Sequence, residues 1–517
     1  MEVGQGQNGI ELESGEYKLF IPKDGEVLAK VDSWDIVAST SIEGKRYTSR
    51  GQRLVSIEEN GPIRTVISIK GYLKDTEGKD SLKYNVRFYA YKDLPFIEVS
   101  PVLINTYDAS FITLDDWGLT LMASGDINKV QMGTAKDAEE EYTSGNLDIT
   151  HIYKDYYKVT QNGQTIYNMG STQGWLKADG DLGIVVRAFP EKYPKNFNVG
   201  EDSVYVGLAA PIQREWYTDR NFLDDKDYKR LSRANADADW TFEQHALHFY
   251  LQEGGHKLHQ GMCLGDELLL VSGDEDMSQI AKAFQNPLIA RASTEWYLET
   301  QALGSFATCN QELIPLYEQQ INNAIVEYLR DREAKRLYGS LNFGDWWGER
   351  EVNWGNNEYD IAYGMFIEYL RSGNIKAYQI AREMADHYMN VDIQHYASNK
   401  FYEGVAWRHA IGHTGDYYSV SPFGADKGYA KASVDLGHWF TEGLVLKYYL
   451  TGDRRAIETA QMVATRYNRE TTRTPYDYGN GRVPGWHLTA IMSVYGATLD
   501  PYHLNTANLI VERVLEQ

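Results

Sequence analysis

Three stretches in the second half of the chain carry one helical code, and that recurrence limits the fold more than any other feature. Ala362, Met365, Phe366, Tyr369 and Leu370 fall at i, i+3, i+4, i+7 and i+8. Leu436, Trp439, Phe440, Gly443 and Leu444 repeat the spacing, as do Leu488, Ile491, Met492, Tyr495 and Gly496. That offset set lines one face of a helix with apolar groups. The three stretches also stop alike, at YLRSGN (369–374), YLTGD (449–453) and TLDPY (498–502). Gly or Pro at such a place ends a helix. A second helix is expected after each stop, over 376–389, 454–467 and 504–515, and one more before them over 311–329. A helical hairpin buries its apolar face only against neighbours, so its recurrence predicts stacked hairpins. Open solenoid and closed (α/α) toroid both satisfy the pattern. Residues from about 300 to 517 are too few for a six-hairpin ring, which makes a small or incomplete toroid the expectation.

The first ~270 residues have a different period. Short alternating or β-branched runs recur at 17–23, 64–73, 82–91, 96–104, 118–123, 182–189, 203–212 and 246–252. Between two of them, KVTQNGQTIY (158–167) sets Asn162-Gly163 among alternating residues, the signature of a two-residue hairpin. Many short strands with little helix between them predict antiparallel sandwiches or barrels, not βαβ units.

Composition removes several functions. A net charge of −22 disfavours nucleic acid and anionic membrane surfaces as partners. No run of about 18 apolar residues is present, so no membrane-spanning helix is expected. The first twenty residues show neither a basic nor an apolar signal region, so the expected location is cytoplasmic, unless a leader has been removed. Two cysteines, Cys263 and Cys309, rule out a disulfide framework and a cysteine zinc site. Tyr (38) outnumbers Phe (16), with 12 Trp; amphipathic rings in such excess suit contact with sugars.

Two connections between helices are far longer than hairpins need, 337–358 and about 392–433, and long loops in compact domains usually carry function. The first holds Trp346, Trp347 and Trp354 among Glu349, Arg350, Asn357 and Glu358, a set suited to stacking and hydrogen bonding with a polyhydroxyl ligand. A plain lid over the helices is the competing reading. The second holds AWRHAIGHTGDYY (406–418), with Arg408, His409, His413, Tyr417 and Tyr418, and then Lys431, His438 and Trp439. His409 and His413 stand four apart, but Gly412 and Gly415 argue against a helix and no third ligand is obvious, so no metal and no cofactor is expected. Cations, imidazoles and phenols together suit β-elimination at a uronate. A cation beside the carboxylate stabilises the enediolate, and a His or Tyr moves the proton. Glu349, Glu351, Glu358, Asp416 and Glu442 keep hydrolysis by a carboxylate pair open.

Longer motifs carry a family resemblance. GWLKADGDLGIVVRAFPEKYPKNFNV (174–199), VYVGLAAP (204–211), GSLNFGDWWGE (339–349), NNEYDIAYGMFIEYLRSGN (356–374), RHAIGHTGDYY (408–418) and DLGHWFTEGLVLKYYLTGD (435–453), in that order, resemble the rhamnogalacturonan exolyases and their bacterial relatives. The resemblance implies a β-barrel-like domain (1–115), a β-sandwich (116–286) and a catalytic (α/α) toroid (287–517), with a helix at GMCLGDELLL (261–270) just before the toroid. It implies exo-acting cleavage of a 4-linked uronate in an acidic, rhamnogalacturonan-like polysaccharide. Arg408, His409, His413, Tyr417, Tyr418 and His438 are the implied catalytic residues. Trp346, Trp347, Glu349, Arg350, Asn357, Glu358, Lys431 and Trp439 are the expected substrate contacts. The alternatives are a toroid glycoside hydrolase and a non-catalytic carbohydrate-binding protein.

Overall fold

The structure is a computed structural model and describes residues 1–109, 111–134, 138–143, 145–179, 182–218, 250–251, 254–349, 353–407, 413, 436–473 and 476–517. Twenty-two strands among these residues (22) join in one antiparallel network. Strand Asp80–Tyr91 shows why the sequence folds this way. Leu82, Tyr84, Val86, Phe88 and Ala90 alternate and are all buried. Period-two alternation turns them to one face, where each large apolar side chain is worth about 1.5–3 kcal/mol of burial. The strand pairs with Arg64–Lys74 on one side and Phe96–Ile104 on the other. The predicted hairpin is present: Gln161 opposes Gln164, and Asn162 (φ 50°) and Gly163 (φ 76°) are both left-handed, as a type I′ turn needs.

Residues 261–270 are strand and not helix. Cys263–Gly265 and Leu268–Ser272 both pair with Phe96–Ile104, and their leucines are buried on both faces. A continuous apolar run of that kind fits a covered strand as readily as a helix. The expected division at residue 115 runs between strands that share a sheet: Asp116–Met122 lies between Trp34–Ile42 and Ser203–Ala209. The expected strand at 246–252 lies largely outside the described residues.

Helix α1 (Pro315–Ala334) precedes three hairpins: α2 (Ile361–Ser372) with α3 (Ile375–His387), α4 (Glu442–Thr451) with α5 (Arg454–Thr471), and α6 (Arg482–Thr498) with α7 (Pro501–Leu515). Within each hairpin the first helix ends on a left-handed residue, Gly373, Gly452 or Leu499. The second is capped by Asn374, Asp453 or Asp500, whose side chain accepts a backbone N–H of the first turn. Among the described residues no helix is long and apolar enough to cross a membrane.

Two predicted faces differ from those observed. Helix α4 begins at Glu442, so Leu436, Trp439 and Phe440 precede it in a turn and irregular chain packed against the toroid core. On α6 the buried stripe is His487, Ala490, Ile491 and Val494, one step round from the predicted set. His487 takes a core position because both ring nitrogens are satisfied. Nε2 donates to the Leu436 carbonyl and Nδ1 accepts from the Tyr476 hydroxyl. The toroid also locks onto the sheet: Arg87, on a strand, pairs with Glu58 and with Glu458 of α5, and Arg382 of α3 pairs with Glu267 beside the last strands.

Candidate functional site

The long connection after α1 is seated against the end of α3 by a glycine. Gly344 has φ 96°, and a Cβ there would run into the Glu383 carbonyl and the His387 Cβ. Only a residue without a side chain lets the loop lie this close. Asp345 is thereby held beside His387, with its Oδ2 accepting the Asn356 N–H at 2.9 Å. Directly after α3 the chain makes one π-helical turn, Tyr388–Asp392, a feature that often marks functional sites. The turn brings Asp392 back, so His387 Nε2 lies 3.4 Å from Asp392 Oδ1 and 3.7 Å from Asp345 Oδ2. The ring of His413 packs 4.9 Å from that of His387 and 5.0 Å from that of Trp354.

All four polar side chains are out of water; those of Asp345, His387 and Asp392 are 0% exposed, and His413 is 2% exposed. Burial raises the Asp345 carboxyl above its usual range, His387 opposes the shift and Asp392 adds to it. On His387 burial acts downward, but the two carboxylates outweigh it and hold the imidazole above its usual value. Burial pushes His413 well below, helped by His387 and His259, so its ring is neutral.

A second group lies where the first connection meets α6. Arg482 Nη2 donates to His438 Nε2 at 3.1 Å and lies 3.3 Å from Glu358 Oε1; His438 Nε2 and Glu358 Oε1 are 3.8 Å apart. Since a guanidinium only donates, the Nε2 of His438 is the acceptor and carries a lone pair. Four residues just before α2, Asn356, Asn357, Tyr359 and Asp360, have φ between 45° and 63°. A run of left-handed residues without glycine is strained, and such strain gathers at functional sites.

Near this run, burial lifts Glu442 to about 7, with the charge of Asp360 adding to it, and burial lifts Asp360 to about 6. A carboxyl raised in this way binds its proton more tightly in the folded chain than in the unfolded one. Its stability contribution is therefore complete below about pH 4.5 and is lost as pH rises through about 7. Melting temperature is expected to fall between pH 5 and 8, and Glu442→Gln to reduce that fall; an unchanged slope in a pH series of thermal melts would refute the assignment.

The structure brings His413 together with Trp354 and His387, and His438 together with Glu358. Trp346 and Trp347 are half-buried, Trp346 against the backbone of Gly355 and Trp347 edge-on to Trp354. Asn357 is buried, with no hydrogen-bond partner for its side-chain oxygen among the described residues. Trp439 is not a ligand platform: it is 0% exposed, stacks over His487 and Tyr467, and donates its indole N–H to Ala406. Trp354 is likewise core. Glu349 enters strand Trp347–Glu349 through its backbone, and its side chain is outside the description. Arg350, Arg408, His409, Tyr417, Tyr418 and Lys431 lie outside the described residues.

Sequence reasoning passed over Asp345, His387, Asp392 and Arg482 as a group. The one available signal was Gly344-Asp345, a turn pair inside a tryptophan-rich loop. Between sheet and toroid there is also a cavity of about 890 Å³, lined in part by Arg187, Lys192, Arg332, Arg382, Glu383 and His387. Its cations are held: Arg187 and Arg382 by Glu267, Lys192 by Asp266, Arg332 by Glu383. His387 is the described link between this cavity and the buried cluster.

An antiparallel β region followed by stacked helical hairpins, with ionisable groups gathered in the inter-helix connections, defines a β-sandwich and (α/α) toroid protein. Comparison with known proteins agrees. The PcRGLX-like protein C-terminal alpha/alpha toroid domain matches residues 287–421, and the PcRGLX-like protein central beta sandwich domain matches 5–124. The chain is similar to PcRGLX-like proteins over these two stretches. An uncharacterized protein of Bacillus subtilis (strain 168), YetA, is 24% identical over 303 residues, covering 54% of this chain and 31% of that protein. The chain thus spans under a third of the length of that relative. Two solved structures have TM-scores of 0.27 and 0.25: a galactose mutarotase-like protein from Lactobacillus casei (12% identical; 51% of this chain, 99% of that one) and a putative aldose 1-epimerase from Escherichia coli K12 (10%; 50% and 97%).

Proposed function

We propose that the protein is an exo-acting polysaccharide lyase that cleaves a 4-linked uronate of an acidic, rhamnogalacturonan-like polysaccharide by β-elimination. The matches to PcRGLX-like domains support the substrate class. The Arg482–His438–Glu358 group is the observation that carries the chemistry. A uronate C6 carboxylate draws the Arg482 donors away, because a guanidinium–carboxylate pair is stronger than its bond to a neutral imidazole. The lone pair of His438 Nε2 then takes the proton from C5. The C–H electrons become the C4=C5 double bond, the C4–O bond breaks, and the leaving oxygen takes a proton from an acid. Arg482 offsets the charge that develops on the carboxylate. Arg408, His409, Tyr417 and Tyr418, implied by the resemblance, join this reaction as further acids, bases and cations.

The test is incubation with rhamnogalacturonan-derived oligosaccharides. A lyase gives ultraviolet absorbance from the unsaturated uronate and incorporates no oxygen from labelled water. Reducing ends without that absorbance would replace this reading with hydrolysis, and a ligand-induced rise in melting temperature without product would leave a binding protein. Hydrolysis has one observation in its favour: burial lifts Glu442 to about 7, so it holds its proton further toward neutral pH than an ordinary carboxyl, as a glycosidase acid must. Its raised neighbour Asp360 is engaged by the N–H groups of Tyr363 and Gly443 and serves as a cap, not as a second free carboxylate.

A further inference from the structure

We infer that Asp345, His387 and His413 form a binding site for a divalent transition-metal ion, zinc foremost. One ligand atom from each lies within 4.8 Å of the others, and all three residues are buried. They come from three separate segments: the connection after α1, the last turn of α3 and the second long connection. The absence of a metal expected from sequence rested on His409 as the partner of His413; the structure gives His413 different partners.

Two observations point independently to an ion. Neither ring nitrogen of His413 has a hydrogen-bond partner among the described residues, although the residue is 2% exposed. An imidazole removed from water ordinarily satisfies at least one nitrogen, and leaving both bare is costly. Here the ring lies against His387 and Trp354, with a ligand atom turned toward the other two residues. Secondly, Asp345 and Asp392 place two fully buried carboxyl groups 3.7 and 3.4 Å from His387 Nε2. A dication offsets more of the negative charge buried there than one imidazole does.

Ligand chemistry selects the metal. Two imidazoles and one carboxylate suit zinc and its neighbours in the first transition row, whereas calcium and magnesium take oxygen ligands. Such an ion fastens both long connections to the end of α3.

The experiment uses the full chain after chelation and dialysis, titrated with Zn2+ and, separately, with Co2+. One Zn2+ per chain is expected. Cobalt is expected to give the visible bands of a nitrogen- and oxygen-ligated ion, and saturating zinc to raise the melting temperature by about 2 °C or more. Asp345→Asn and His413→Ala should each weaken zinc binding at least about tenfold, while His438→Ala, outside the set, binds as the parent does. Zinc uptake far below one per chain, or parent-like cobalt spectra in both variants, overturns the site. Should the variants fail to fold, the cobalt spectrum of the parent chain decides: bands without nitrogen ligation, or no bands, overturn it. Metal uptake is read without substrate, so a failure here is distinct from a failure of the lyase reading.

Discussion

Arg482→Ala lowers kcat/KM on an acidic oligosaccharide by about 10²–10³-fold, the usual cost of removing one fixed donor from a developing anion. Its side chain is 44% exposed and holds its partners from the rim, so the fold loses little and the melting temperature is expected to stay within about 1 °C. Most of the loss should appear in kcat, because the carboxylate gains charge only as the enediolate forms. Arg482→Lys should recover part of the rate, a point charge replacing a two-pronged donor. A variant with parental kcat and KM would move the reaction away from His438. A raised KM with unchanged kcat would reduce Arg482 to ground-state binding.

Trp439→Ala has the second large effect, on stability. The indole is 0% exposed, lies against Tyr467 at 4.7 Å and donates to the Ala406 carbonyl. Removing a fully buried Trp leaves a cavity and an unanswered carbonyl, together worth about 3–5 kcal/mol. Urea unfolding measures it as a lower midpoint at a similar slope. A ligand platform would behave in the opposite way, with weakened sugar binding and an unchanged midpoint. That outcome would restore the sequence-based reading of Trp439.

Local rules decided what the sequence made legible. Asn162-Gly163 was readable because a two-residue hairpin demands left-handed geometry at both positions, and few pairs accept it. The hairpin stops at Gly373 and Gly452 were readable for the same reason. Even Leu499, which takes that geometry without being glycine, was marked by the proline that follows two residues on. Long-range rules stayed hidden. His487 counts as polar in any periodicity, yet occupies the core once Leu436 and Tyr476 supply its partners. Trp439 sits at helical spacing from Phe440 and Gly443, but its segment is irregular, pinned by contacts with α5 and α6. The Asp345–His387–His413 group needed three segments to meet, and spacing along the chain carries no trace of that. His409, the obvious neighbour of His413, drew attention instead.

The apolar core of the sheet has a consequence for how such a chain can be divided. Leu337, Tyr338, Leu341, Phe343, Trp354 and Val391 all come from beyond residue 287, yet they belong to the same buried cluster as Val86 and Phe88. Ion pairs from Arg87 and Glu267 bridge the same boundary. A chain severed there would leave greasy surface on both fragments, so the sandwich and the toroid are not interchangeable cassettes. Recombination among chains built this way is expected to respect that shared seam and to carry both halves as a single inherited block.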